Sequence, residues 1–332
     1  MDDREPVTLW GMRTAYTAAQ IRAAEQALMA TLPEGTLMQR AAAGLAATCT
    51  RVLGRTYGAH VVLLVGSGDN GGDALYAGAR LARRGARVDA VLAGSRVHEG
   101  GLAELRAAGG RTARPDQAAA LLAEADLVLD GLVGIGGSGA LREPYDMLAR
   151  LTESTAAAVV AVDVPSGVDA STGRVDGAAV AADVTVTFGA YKTGLFVDPG
   201  ASRAGTVELV DIGLGPYLSD ADAAALTAAD VAGLLPRPDA ETDKYRRGVV
   251  GVVAGSERFT GAAVLAVGGA VRAGAGLVRF AGPKAAAEQV RAHWPEAVIT
   301  VLEPGQGVEE VGRVQAWVVG PGMGTDEKAH AT

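Results

Sequence analysis

The sequence predicts an α/β protein whose larger, first part is a Rossmann-like, mostly parallel sheet with helices on both faces. Two observations lead to this prediction. Continuous apolar runs that end in glycine or aspartate, such as residues 60–65, are typical of strands buried on both faces. Segments with helical periodicity separate most of these runs, and such alternation implies right-handed crossovers between parallel strands.

The elements of the first part are expected in a regular order. Thr17 and Gln20 have the spacing of a capping box, so a helix should begin there, and a second helix is predicted over 37–53. Buried strands are predicted at 60–65, 87–92, 125–130, 158–163 and 183–188, with helices at 74–84, 117–124 and 144–151.

A change in composition after Asp211 indicates a domain boundary. Glycines and prolines interrupt the pattern there, and Pro236 to Pro238 punctuate the segment that follows. We therefore predict a first domain over 1–215, a linker over 216–241 and a second domain over 242–332. The second domain is expected to be an incomplete α/β unit with strands at 249–254, 277–281 and 316–319 and a helix through Ala270.

Composition excludes several classes of partner. A net charge of -8 opposes binding to nucleic acid or an anionic membrane, and residues 1–11 lack the apolar run of a signal peptide. The single cysteine, Cys49, cannot form a disulfide within the chain and is interpreted as a core residue. We expect a cytoplasmic protein with a small-molecule ligand, no nucleic-acid partner and no membrane partner, and a homo-oligomer is compatible with the sequence.

The first chemical motif is the glycine-rich segment 66–73, which follows a predicted strand. Its glycines fit the G-x-G-x-x-G pattern of dinucleotide-binding proteins, and Asp89 could bind a ribose, so a nicotinamide-dependent dehydrogenase is one hypothesis. Asp69 and Asp73, however, would repel a pyrophosphate at the helix N-terminus, and an oxygen-rich loop suits a hard cation better. A third interpretation is that Asp69, Asn70 and Asp73 only cap the turn and the helix.

Two further predicted strands end in an acid. Asp130 precedes the glycine-rich loop 134–140, whose amides could approach a phosphate, and Asp163 precedes a sharp turn that contains Ser166. Each feature alone could be an ordinary loop or turn. Ligands of open α/β sheets bind at the carboxyl ends of the strands, so three such ends predict a shared site. Lys192 is a candidate phosphate contact, although a solvated loop lysine is the simpler interpretation.

No zinc site is expected, because His60, His98, His293 and His330 are scattered and no Cys-x-x-Cys is present.

The motifs together resemble known families. The first part is similar to the NAD(P)H-hydrate epimerase family through four segments: 37–41 (LMQRA), 68–73 (GDNGGD), 162–167 (VDVPSG) and 182–189 (ADVTVTFG). The second part resembles the start of the ADP-dependent NAD(P)H-hydrate dehydratase domain, a ribokinase-like fold, through 244–248, 255–256, 260–263, 272–276 and 320–324. In this order the two parts resemble the bifunctional repair enzymes.

The resemblance implies an isomerase that interconverts the R and S epimers of hydrated NADH and NADPH (NADHX and NADPHX). By this resemblance Asn70, Asp130 and Ser166 would bind potassium, and Asp163 would be the catalytic acid and then base. The implied contacts to the substrate are Asp69, Asn70, Gly71, Gly72, Asp73, Gly134, Ile135, Gly136, Gly137, Ser138, Gly139, Ala140 and Asp163. Asp69, Ala74 and Ile135 depart from the asparagine, glycine and threonine that are usual in the family.

For the second part, the resemblance ends before the Gly-Ser-Gly-Asp motif and the ADP-binding segment of the dehydratase. We therefore expect no dehydration by this chain, and ADP or ATP as a cofactor only for a complete dehydratase domain. Two other functions stay open, an NAD-dependent oxidoreductase that uses the G-x-G-x-x-G-like loop and a noncatalytic nucleotide-binding module. The set of Asn70, Asp130, Asp163 and Ser166 favours the enzyme over the noncatalytic module.

Overall fold

A computed structural model describes residues 11–235, 242–303 and 305–325. The chain divides into two compact units, with the boundary between Thr227 and Ala228. The strands of the first unit are β1 Arg13–Tyr16, β2 His60–Val65, β3 Arg87–Leu92, β4 Arg111–Ala113, β5 Leu127–Gly131, β6 Ala158–Val162, β7 Val184–Phe188, β8 Tyr191–Lys192, β9 Thr206–Val210 and β10 Ala223–Ala225. Its α-helices are α1 Ala18–Met29, α2 Thr36–Leu53, α3 Asp69–Ala82, α4 Glu99–Ala107, α5 Ala118–Ala123, α6 Tyr145–Thr152 and α7 Gly200–Ala204.

Seven strands of the first unit form one sheet in the order β4-β3-β2-β5-β6-β7-β9. Every pair of neighbours in this sheet is parallel. The residues of β2 alternate between two cores: Leu63 packs on the side of α1 to α3, and Leu64 packs on the side of α5 and α6. The predicted fold class, a parallel sheet with helices on both faces, is therefore confirmed.

A second sheet of the first unit was not predicted. It has three short strands in the order β10-β1-β8, in which β10 pairs with β1 antiparallel and β8 pairs with β1 parallel. Its strands have two to four residues, which is too short for an alternating pattern to be recognised in the sequence. Strands β4 and β9 and helices α4 and α7 were also not predicted.

The segment predicted as a linker, 216–241, carries regular structure. It contains β10 of the first unit and the helix α8, Ala228–Leu234, of the second, while residues 236–241, including Pro236 to Pro238, lie outside the described residues. The first compact unit thus extends beyond the predicted boundary at 215, because β10 is hydrogen-bonded to β1.

The second unit contains a four-stranded parallel sheet in the order β13-β12-β11-β14. Its core includes Val252, Val267, Phe280 and Val290. Besides α8, its elements are β11 Val249–Val253, α9 Thr260–Arg272, β12 Leu277–Gly282, α10 Lys284–His293, β13 Val298–Val301 and β14 Ala316–Val319. In the part of the chain that the structure describes, no helix is both long and apolar enough to cross a membrane.

Candidate active site

The site lies where β2, β5 and β6, three neighbours in the large sheet, reach their carboxyl ends. The amide of Gly66, directly after β2, donates a hydrogen bond of 3.0 Å to the carbonyl oxygen of Gly131 in β5. Gly66 has no space for a side chain, since a Cβ there would lie 1.8 Å from the carbonyl oxygen of Leu132. The predicted convergence of the strand ends is therefore present in the fold.

Helix α3 begins earlier than predicted. The sequence indicated a loop to Asp73, but the helix starts at Asp69, with Gly68 as its N-cap residue. The first turn fits closely against the strand end, because a Cβ on Gly71 would lie 2.4 Å from the carbonyl oxygen of Gly66. The predicted binding residues at this position, Asp69, Asn70, Gly71, Gly72 and Asp73, therefore lie in the first turn of a helix.

Asp130 and Ser166 are in direct contact and fully buried. The Ser166 hydroxyl donates to Asp130 Oδ1 at 2.6 Å, and the Ser166 amide donates to Oδ2 at 2.8 Å. The Ser166 Oγ also accepts a hydrogen bond of 2.9 Å from the amide of Val133. Burial raises the pKa of Asp130 to about 6, against the lowering effect of the hydrogen bonds from Ser166.

The side chain of Asn70 lies against the loop that Ser166 contacts. A Cβ built on Gly134 would be 2.7 Å from Asn70 Oδ1. The Asn70 Nδ2 is buried and has no hydrogen-bond partner. The oxygen and nitrogen atoms of an asparagine side chain are assigned from their hydrogen bonds. Exchange of the two atoms in Asn70 would put an oxygen without a hydrogen-bond partner at this buried position.

These three residues have the donor types that could hold a hard cation. They combine a carboxylate, a hydroxyl and an amide around residues 131–134, and hard cations prefer such oxygen donors. Among the described residues, no three His, Cys, Asp or Glu side chains are arranged to hold a metal ion, so a cation here would depend on the neutral oxygens of Asn70 and Ser166.

Asp163 follows β6 directly and is the only non-glycine residue of the described chain with a positive φ, 69°. Its side chain forms an ion pair with Lys192, whose Nζ is 2.5 Å from Asp163 Oδ1. The same oxygen accepts from the amide of Phe188 at 3.2 Å, and Lys192 Nζ also donates to the Phe188 carbonyl at 2.8 Å. Among the described residues, none hydrogen-bonds Asp163 Oδ2.

Lys192 is therefore not a solvated loop lysine, as its sequence context indicated. Its side chain is 1% exposed, because it lies in β8, which pairs with β1 after the turn at Gly189. Its ammonium is held by Asp163 and the carbonyl of Phe188, so the interpretation as a phosphate contact is replaced by that of a charge partner of Asp163.

Further carboxylates surround this ion pair. Burial raises the pKa of Glu25 in α1 to about 7, and the nearby charge of Asp163 adds to the rise. Burial also raises the pKa of Asp73 well above its usual value, with Asp163, Asp69 and Glu25 contributing. The Asp73 Oδ1 is buried without a hydrogen-bond partner. The site thus combines ion-paired Asp163 with carboxyl groups that favour protonation.

A cavity of about 770 Å³ opens beside this cluster. Glu25, Asp69 and Asp73 line it together with Tyr76, His98 and Phe188. This volume lies within the usual range for small-molecule sites. Sequence reasoning did not identify Glu25, although a glutamate beside the buried helix positions Ile21, Ala24 and Leu28 is a signal that could have found it.

The glycine-rich loop after β5 lines a second pocket of about 260 Å³. Of the predicted loop residues, Gly137, Ser138, Gly139 and Ala140 line it, while Gly134 contacts Asn70. The carbonyl of Ile135 accepts a hydrogen bond of 2.8 Å from Arg22, and Gly136 faces the same guanidinium. Two cationic side chains that the sequence analysis missed, Arg142 and Arg174, also line this pocket.

Asp89 is not part of the site. Its Oδ2 is 2.9 Å from His60 Nε2 and 2.9 Å from Arg87 Nε, at the start of β2 and β3. The carboxylate is buried and lies away from the carboxyl ends of the strands. Its proposed role as the ribose-binding acid of a dehydrogenase is therefore wrong, because its hydrogen-bonding capacity is used within the fold.

Comparison with known proteins follows the two units. Residues 34–194 match the family described as YjeF-related protein N-terminus, and residues 250–332 match the NAD(P)H-hydrate dehydratase family. The chain is 49% identical over 325 residues to the bifunctional NAD(P)H-hydrate repair enzyme Nnr of Mycobacterium leprae, covering 96% of this chain and 65% of that protein. The chain thus spans 65% of the length of this bifunctional relative.

A shorter relative matches mainly the first unit. The chain is 45% identical over 239 residues to the NAD(P)H-hydrate epimerase of Microbacterium testaceum, covering 70% of this chain and 91% of that protein. Among solved structures, the crystal structure of yeast ynu0 (YNL200c) superposes with a TM-score of 0.52 at 19% identity, over 59% of this chain and 86% of that chain. At this identity the likeness shows a shared fold.

Proposed function

This chain belongs to the NAD(P)H-hydrate epimerase family, and we propose that its first unit interconverts the R and S epimers of hydrated NADH and NADPH. The observation that carries the proposal is Asp163, a buried carboxylate at the carboxyl end of β6, which is ion-paired to Lys192 and hydrogen-bonded to Phe188, a residue that lines a cavity of about 770 Å³. A proton-transferring group placed at the edge of a cavity is the arrangement that acid-base catalysis requires.

Epimerisation at C6 of the hydrated nicotinamide ring needs proton transfer and no redox change. The C6 hydroxyl leaves as water while the lone pair of the ring nitrogen forms an iminium, and water then returns to either face. Asp163 is the group we propose to exchange a proton with this oxygen, because Lys192 and the amide of Phe188 bind one carboxylate oxygen and orient the other. Positioned proton transfer contributes about 10²- to 10⁴-fold.

We propose that Asn70, Asp130 and Ser166 hold a potassium ion. Support comes from the buried Asp130 carboxylate and from the Asn70 amide atom that has no hydrogen-bond partner. Ser166 and Asn70 also contact the same loop, Ser166 at Val133 and Asn70 at Gly134. The ion would supply positive charge that orders the loop after β5 against the first turn of α3. Ser166 would keep its hydrogen bond to Asp130 and orient the carboxylate.

The two pockets suit different parts of the substrate. The larger cavity carries Glu25, Asp69 and Asp73, which disfavour phosphate, so we place the hydrated nicotinamide ring there. The smaller pocket is lined by Arg142, Arg174 and the glycine-rich loop 137–140, which suit phosphate oxygens; Asp169 and Asp176 also line it, and Asp176 pairs with Arg174. In this proposal residues 69–73 contact the nicotinamide end of the dinucleotide, and residues 134–140 contact its phosphates.

For the second unit, the match over 250–332 supports a link to ADP-dependent dehydration of the same hydrates. We propose that activity, with ADP or ATP as cofactor, for a protein of the full length of the bifunctional relatives. The buried thiol of Cys49 and the absence of any second cysteine support a cytoplasmic location.

The test is chiral chromatography of the purified R epimer of NADHX after incubation with this chain. We expect the S epimer to form without a change in the reduced-nicotinamide absorbance, and Asp163→Asn to slow its formation by about 10²- to 10⁴-fold. Asp116→Asn, an exposed aspartate paired only with Arg114, is the matched control and should keep the wild-type rate. Equal rates for wild type and Asp163→Asn would contradict the assignment.

The same samples test the potassium site. Potassium chloride should raise the thermal unfolding midpoint of the wild type above its value in tetramethylammonium chloride. Asp130→Asn should remove this difference, because the amide carries no charge to attract the ion. A difference that persists in Asp130→Asn would argue against ion binding at this set.

A further inference from the structure

We propose that Glu25 is the second proton-transferring residue of this site: it gives a proton to the hydroxyl that leaves C6, while Asp163 takes a proton from the water that enters. The inference rests on the proposed epimerisation and assigns the two proton transfers to different residues. Catalytic sites commonly separate an acid from a base by giving two carboxyls different environments.

The position of Glu25 makes it available to a ligand. Its neighbours Ile21, Ala24 and Leu28 bury one face of α1 in the core, and Glu25 stands beside them and lines the 770 Å³ cavity. Among the described residues, no side chain or backbone group hydrogen-bonds or ion-pairs with its carboxyl. A partly buried carboxyl that faces a cavity without a protein partner can bind and protonate a substrate oxygen.

The charges around Glu25 favour its protonated form. Its pKa is raised to about 7: burial is the largest cause, the Asp163 and Asp69 carboxylates also raise it, and Lys192 and Arg22 lower it. Asp69, Asp73 and Glu34 also line the cavity, and the pKa of Asp73 is itself raised by burial and by the charges of Asp163, Asp69 and Glu25. A carboxyl with this pKa is about half protonated at neutral pH, which suits a general acid.

Asp163 has the complementary environment. An ammonium 2.5 Å from Oδ1 and the amide of Phe188 both donate to this carboxylate, and such donors stabilise a negative charge. Its Oδ2, which no described residue hydrogen-bonds, is the oxygen that would accept the proton of the entering water. In a scheme with a single carboxyl, Asp163 acts first as the acid. The carboxyl group that is paired with Lys192 would then have to donate the first proton.

The two-carboxyl scheme balances atoms and electrons. The C6–O bond breaks as the nitrogen lone pair forms the N1=C6 bond, and the Glu25 proton converts the leaving hydroxide to water. Water then bonds to C6 on the opposite face, the N1=C6 electron pair returns to nitrogen, and the proton of the entering water passes to Asp163. Exchange with solvent returns the proton from Asp163 to Glu25.

Asp73 is the competing donor. It also lines the cavity, but it is a residue of α3 and only 9% exposed, whereas Glu25 is more accessible. Separate substitutions of the two acids distinguish them.

The experiment measures R-to-S conversion between about pH 5 and 9 for the wild type, Glu25→Gln, Glu25→Asp and Asp73→Asn. The wild-type rate should fall above about pH 7, because the donor loses its proton there. Glu25→Gln should lower kcat by about 10²-fold and abolish this fall, and Glu25→Asp should restore part of the rate and the pH dependence. Glu288→Gln, an exposed glutamate in α10 of the second unit, is the matched control and should behave as wild type.

Thermal unfolding midpoints for each variant confirm that the comparison is between folded proteins. Glu25→Gln with an unchanged kcat and an unchanged fall above pH 7 would overturn the inference while leaving the proposed function intact. Loss of the fall in Asp73→Asn alone would overturn it as well, in favour of Asp73. A wild type that interconverts no epimers would overturn the proposed function, and the inference with it.

Discussion

Lys192 is a buried cation of the site, and its charge is balanced by Asp163. Its ammonium is buried with Asp163 and is not solvated, since the side chain is 1% exposed. The aspartate in turn adopts a positive φ of 69°, which places it in a conformation that non-glycine residues rarely adopt. The surrounding hydrogen bonds from Phe188 and Lys192 hold this conformation.

Removal of one partner of this buried pair should be costly. We expect Lys192→Met to lower the free energy of unfolding by about 3–5 kcal/mol, because it leaves the Asp163 carboxylate buried without a cation. The double variant Lys192→Met/Asp163→Asn should recover part of that loss. Denaturant unfolding of the wild type, both single variants and the double variant measures the coupling, and strictly additive losses would show that the two side chains do not interact.

At the scale of secondary-structure elements, the packing of α3 on β2 positions the site. The first turn of α3 carries the predicted binding residues, and further along the helix Gly78 lies over Leu63 of β2. A Cβ on Gly78 would be 2.5 Å from Leu63 Cδ1. The close approach of helix and strand at Gly78 thus determines how near the first turn comes to the strand ends.

Gly78→Ala should therefore be destabilising, although alanine favours helices over glycine by about 1 kcal/mol. We expect the steric cost of about 1–3 kcal/mol to exceed or cancel that gain, since Leu63 is fully buried. Adding Leu63→Val should relieve the clash and make Gly78→Ala stabilising relative to Leu63→Val alone.

The control for this pair is Gly269→Ala in α9, where no atom lies within 4 Å of the added Cβ. That variant should stabilise its own unit by about 1 kcal/mol, as measured by denaturant unfolding. If Gly78→Ala and Gly269→Ala raised the free energy of unfolding equally, the close contact between Gly78 and Leu63 would not affect stability.

At the scale of the whole molecule, the end of the first unit determines what can fold independently. Strand β10 pairs with β1, the amide of Asp222 donates to Ala15, and the Gln20 side chain donates to Ser219 and Asp220. All of these contacts involve residues beyond 215. The small sheet therefore closes the unit only when the chain reaches Thr227.

We expect a fragment of residues 11–227 to fold and to interconvert the epimers at the rate of the whole chain. A fragment of residues 11–215, which ends at the boundary predicted from sequence, should unfold at a lower temperature because β1 loses a partner strand. Thermal unfolding and chiral chromatography of both fragments measure this, and equal midpoints would contradict the role of β10.

The sequence by itself determined the parallel α/β fold, the family and the three strand ends at which the proposed site lies. Buried parallel strands are recognisable because both faces need apolar side chains, and residues at strand ends share one edge of the sheet. The capping box at Thr17 was also predicted correctly, with the Thr17 amide 2.8 Å from Gln20 Oε1, because capping depends on neighbours in the chain.

Tertiary structure alone decided which side chains face one another. The burial of Lys192, the place of Glu25 in the cavity wall and the engagement of Asp89 by His60 all depend on residues far apart in sequence. The short strands β1, β8 and β10 exist only through pairing with each other. A local sequence pattern shows that a segment is buried but not which residues it packs against. The protonation of the carboxyl groups in this site depends on those neighbouring residues.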